Sequence, residues 1–176
     1  MAARGPSTSR TGKDGSALLG IYLNDHLAGS TAGLELLRRL VRTHRGTQEG
    51  VALGRLEAEV TADRDVLREI MRGLGVDEQR YKLYTAWVAE KAGRLKANGY
   101  LLRRSPLSGV VELETMMLGV RGKAAMWRVL REHASDEPRL DAARLEELLG
   151  RADRQADELD ELRLGRAAAA FRRRGV

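Results

Sequence analysis

Apolar residues return every three or four positions through almost the whole of this 176-residue chain. The clearest run is Leu53, Leu56, Val60, Asp63, Leu67, Ile70 and Leu74, spaced 3,4,3,4,3,4. That interval keeps side chains on one face of an α-helix, and its strict alternation suits helices packed side by side at about 20°. A half-buried strand would alternate every second residue, and no convincing run of that kind occurs. Only Pro6, Pro106 and Pro138 could interrupt helices, and the last two fall between periodic segments. The pattern predicts an all-α chain built as an up-and-down antiparallel four-helix bundle with a fifth C-terminal helix.

Five helical segments are expected. The first covers 16–44, with Ser16 as a plausible N-cap. It carries two adjoining stripes: Leu19, Tyr22, His26, Gly29, Gly33, Leu36 and Leu40, beside Leu23, Leu27, Ser30, Leu34, Leu37 and Val41. The second covers 48–74, with Gly73 and Gly75 as its stop. Its short link to the first predicts a helical hairpin. The third, 77–97, would bury Leu83, Tyr84, Trp87, Val88, Ala92 and Leu95, and an irregular connection at 100–106 follows it. The fourth, 107–134, has Val110, Leu113, Met117, Val120, Ala124 and Trp127 in phase. The fifth starts after Pro138, a residue suited to a first helical position, and carries Leu145, Leu148, Ala152, Leu159 and Leu162 to about residue 170. Residues 1–15 read as a disordered tail and 171–176 as a basic one, around a helical domain at 16–170.

Composition narrows the chemistry. With no Cys, disulfides, Cys-bound zinc, iron–sulfur clusters and thiol catalysis are excluded. Aromatics are 4%, too few for a base-stacking platform. The net charge is +6, but it is spread along the chain except at Arg172–Arg174. Lys stands only at positions 13, 82, 91, 96 and 123, so the cations are mostly Arg, a skew that fits a GC-rich genome. Solvated ends account for the basic termini, and no recognition motif points to nucleic acid. No apolar run approaches the roughly 18 residues of a membrane span, and the N-terminus lacks the apolar core of a secretory signal. A cytoplasmic location and no membrane partner are expected.

Polar residues in core phase carry the remaining interest. His26 lies on the first stripe of the first helix and Asp63 on the stripe of the second, at similar heights in a hairpin. A buried carboxylate needs a partner, so a structural His26–Asp63 hydrogen bond is expected. Tyr22, one turn before His26, and the carboxylates Glu59 and Glu114 complete the candidate polar core or ligand site; Glu90 is a further oxygen donor. A dinuclear metal bundle requires Glu-x-x-His on two helices, and that motif is absent. Nucleophile elbows and glycine-rich phosphate loops are absent too, so no catalytic residue, metal or cofactor is assigned. His44 and His133 fall at helix ends. The small residues Gly29, Gly33, Gly119 and Gly122 allow close helix approach, either inside the fold or across a dimer seam.

The segments 19–33 (LGIYLNDHLAGSTAG), 87–108 (WVAEKAGRLKANGYLLRRSPLS) and 112–127 (ELETMMLGVRGKAAMW) resemble the ferritin-like superfamily, in particular a bacterial branch without Glu-x-x-His. The resemblance implies the bundle rather than an activity. The expected role is therefore a binding or interaction protein that forms a homodimer, with room for a small-molecule ligand inside the bundle. A metal-dependent redox or stress-related bundle is the first alternative, and nucleic-acid binding through the basic tails is the second.

Overall fold

The computed structural model describes residues 8–79 and 106–172. Among them are four helices and no strands: α1 Thr8–Thr43, α2 Gln48–Gly73, α3 Pro106–His133 and α4 Ala142–Arg172. No fifth helix is seen among the described residues; the C-terminal segment expected as the fifth is α4. Residues 77–79 of the segment expected to be helical at 77–97 carry no helix, and the rest of it, Glu90 included, lies outside the described residues.

Local chemistry sets most of the boundaries. Thr47 caps α2: its hydroxyl accepts from the Gly50 N–H at 3.0 Å and donates to the His44 carbonyl at 2.7 Å. Gly46 adopts φ 80° in the turn before it. At the other end Gly75 takes φ 72°; its N–H donates to the Arg72 carbonyl while that of Val76 donates to Met71, the paired bonds of a glycine-terminated helix. Two starts differ from expectation. α1 begins at Thr8, so Ser16 lies inside it; once a helix exists, each added residue gains a hydrogen bond without a new nucleus, and a polar stretch extends it. α4 begins at Ala142 rather than at Pro138, because the Asp141 carboxylate accepts from the N–H groups of Ala143 at 3.0 Å and Arg144 at 3.1 Å.

The helices pack as α1 on α2, α3 on α4, α1 on α3 and α2 on α4. Ion pairs record the direction of each. Between α2 and α4 they run Glu49–Arg166, Arg55–Glu158, Asp63–Arg151 and Glu69–Arg144, one number rising as the other falls. Between α3 and α4 the ion pairs are Arg121–Asp157 and Arg131–Glu146, with the Lys123–Gln155 hydrogen bond between them in the same order. The shared centre is one cluster, with Leu23, Leu34, Leu53, Trp127 and Ala152 fully enclosed. Burying each large aliphatic side chain there contributes roughly 1.5–3 kcal/mol.

After α2 the chain is tied to α1. Val76 lies over Gly20, and the buried Asn24 side chain donates to Asp77 O at 3.1 Å and accepts from the Gln79 N–H at 2.8 Å. The start of α3 stands near the C-terminal end of α1, where Arg39 meets Glu112 at 2.9 Å. The link between α2 and α3 thus joins points separated by on the order of 20–30 Å along α1. No helix of the described residues is long and apolar enough to cross a membrane.

Candidate functional site: a neutralised carboxylate in the helix core

Asp63 falls in the apolar phase of α2, between Val60 and Leu67, and the fold carries it into the centre with 1% of its surface exposed. An ionised carboxylate there is costly unless charges and hydrogen bonds compensate it. Three residues from two other helices do so. Lys123 of α3 donates from Nζ to Oδ2. Arg151 of α4 brings Nη2 to 2.5 Å from Oδ1, without aiming an N–H along that direction, so this contact is ionic rather than an aligned hydrogen bond. Gln155, one turn beyond Arg151, donates from Nε2 to Oδ2 at 3.2 Å.

Gln155 is itself buried and orders the group. Its Oε1 accepts from Lys123 Nζ, and its Nε2 also reaches Glu59 Oε2 at 2.9 Å, one turn before Asp63. Two carboxylates and two cations therefore meet with no net charge. Burial lowers the Lys123 pKa, which Arg151 pushes the same way and Asp63 opposes.

The expected His26–Asp63 bond is not formed: Asp63 takes its partners from α3 and α4. The direction in which Asp63 points around α2 turns it towards α3 and α4 rather than α1. His26 is half-buried against Tyr22, ring centroids 4.7 Å apart and planes at 74°, an edge-to-face contact. Its pKa is lowered by burial, with Asp25 acting in the opposite sense; burial also raises that of Tyr22. The five candidate residues thus separate into Asp63 with Glu59, Tyr22 with His26, and Glu114 exposed on the outside of α3. Glu114 stands nine residues from Lys123, about 13 Å along the helix.

Sequence reasoning passed over Lys123, Arg151 and Gln155. Gln155 had a readable signal: it fills the gap between Ala152 and Leu159 in a 4,3,4 run from Leu148. His44 accepts at Nδ1 from Arg166 Nη2 at 2.6 Å, while Arg166 also grips Glu49 through Nε at 3.0 and 2.9 Å. His133 is exposed in the last turn of α3.

The dinuclear metal centre associated with ferritin-like bundles does not fit these residues. Asp63 is buried in the core while Glu59 stands exposed at its edge, and a dication beside Asp63 would have to displace Lys123 and Arg151, two cations already seated on it. No three His, Asp or Glu side chains among the described residues group closely enough to hold a metal ion. The arrangement can fix the relative height and rotation of α2, α3 and α4, since a slip of any one breaks bonds to the other two. The chain matches no family model, and no curated protein or solved structure matches it either.

Proposed function

We propose that this chain is an antiparallel four-helix bundle of ferritin-like type that serves as an interaction protein and associates with a second copy of itself. The observation that carries this reading is the solvent-facing apolar surface. Val111, Leu118 and Val129 on α3 stand 42–61% exposed although α3 already buries a full core face. Apolar side chains collected on one outer helix face mark contact surfaces more than scattered ones do. The polar centre supports a structural role, because its charges are spent on each other. Two short links and one long one, the latter joining a point near the middle of α1 to one near its C-terminal end, support the ferritin-like arrangement.

Sedimentation equilibrium of the purified full chain tests the reading. A mass near twice 19.5 kDa at micromolar concentration is expected. A strictly monomeric chain overturns self-association, and stoichiometric iron, manganese or zinc in elemental analysis would favour the metal-dependent alternative.

A further inference from the structure

α3 is apolar on two sides. Its inner side holds Val110, Leu113, Met116, Val120, Ala124 and Trp127 in the core. Its outer side carries Val111, Thr115, Leu118, Gly122, Ala125 and Val129, spaced 4,3,4,3,4 with no charged residue among them. Val111, Leu118 and Val129 are 42%, 61% and 48% exposed. The Thr115 hydroxyl donates to the Val111 carbonyl at 2.8 Å, so covering it strands no donor. Open space surrounds Gly122 where a side chain would begin. This is the seam of a coiled coil, about 27 Å long, with no helix of the described residues packed on it.

From this seam we infer that a second copy of the chain packs α3 against α3 in antiparallel fashion, about a two-fold axis level with Val120. The proposal deepens the self-association reading above and rests on it. The spacing reads the same in both directions, which lets the seam pair with its own reverse. In that register Leu118 lies over Gly122 of the second copy, Thr115 over Ala125 and Val111 over Val129, large beside small at the centre. The flanking charges agree. Glu114 and Arg128 are both exposed and neither has an ion pair within the described chain; the register sets Glu114 of one copy beside Arg128 of the other, twice. Arg121 faces its own copy near the axis, where Asp153 at 3.4 Å and Asp157 at 2.8 Å already balance it. A parallel pairing would instead set Glu114 beside Gly119 of the second copy, with no opposite charge to meet.

The test is the dimer dissociation constant of full-length variants by sedimentation equilibrium. Leu118→Glu and Gly122→Val should each raise it roughly tenfold or more, the second in a position where the single chain has room for the added side chain. Glu114→Arg alone and Arg128→Glu alone should weaken the dimer by several-fold, and the double exchange should restore it, because the partners trade signs across the axis. A native dimer insensitive to Leu118→Glu and Gly122→Val overturns the seam and leaves self-association standing. Singles that weaken without rescue by the double overturn the antiparallel register. A native chain that is monomeric, with Leu118→Glu lowering Tm at unchanged mass, shows that the seam is covered within one chain and overturns both readings.

Discussion

At Lys123 the structure makes a sharp energetic claim. Replacing it by Met leaves the enclosed Asp63 with Arg151 as its one cation and Gln155 as its hydrogen-bond donor, and should cost about 3 kcal/mol in urea unfolding, the low end for breaking a buried pair because one cation remains. Asp63→Leu strands Lys123 in turn. Combining Asp63→Leu with Lys123→Met removes both charges together, so the double variant should recover much of the loss, with a coupling of about 2 kcal/mol in the cycle. Additive losses would show that the two side chains act independently. His26 gives a pH-dependent test. Burial holds its folded pKa below the ordinary 6.5, so in that window the unfolded chain binds a proton that the folded chain does not. Stability should therefore fall as pH drops through 6.5 towards the depressed folded value, and His26→Gln should flatten the decline. Equal slopes in the two proteins would mean that His26 does not sense its burial. Asp63 was recognisable as a core residue from its phase alone. Its partners were not, because periodicity gives height along a helix and which face is apolar, but not which neighbour a given side chain turns towards.

Helices and their ends depend mostly on local signals, and they were correspondingly legible. α2 was expected at 48–74 and is Gln48–Gly73, because Thr47, Gly46 and Gly75 act through bonds to residues within five positions. Thr47→Ala should cost about 1 kcal/mol, with no change in dimer mass. The start of α4 was misplaced because two rules compete there, a proline at a first turn against an aspartate cap, and the Asp141 carboxylate takes both free N–H groups. Asn24 could not have been read from the sequence as a tether: its partners lie more than fifty residues away. Asn24→Leu leaves the Gln79 N–H and the Asp77 carbonyl without their side-chain partner, and should cost about 1–3 kcal/mol. Hydrogen exchange locates the effect: the Gln79 amide should lose protection while amides in the middle of α2 keep theirs. Uniform loss across α2 would instead make Asn24 a core packing residue.

For the whole molecule, burial and association are one question. α3 sits in the core by its inner seam whether or not a second copy is present, so the single bundle has its own enclosed centre and the proposed dimer would add to a folded protomer rather than create it. Association then stabilises the folded state by mass action, since the unfolded chain offers no paired seam. Raising the concentration of the native chain from about 1 to about 100 μM should lift Tm by a few degrees, as roughly 1 kcal/mol moves a 150–250-residue protein by about 2–4 °C. Leu118→Glu should abolish that dependence and leave Tm close to the dilute native value, because the residue faces solvent in the protomer at 61% exposure. The buried charge cluster predicts the opposite signature for Lys123→Met: a lower Tm at every concentration, with the concentration dependence intact. Separate signatures would establish that the polar centre fixes how three helices meet within one chain, while the outer seam of α3 governs how two chains meet. If Leu118→Glu and Lys123→Met shifted both quantities together, inner packing and outer contact would be a single cooperative unit, and the bundle would depend on its partner to fold.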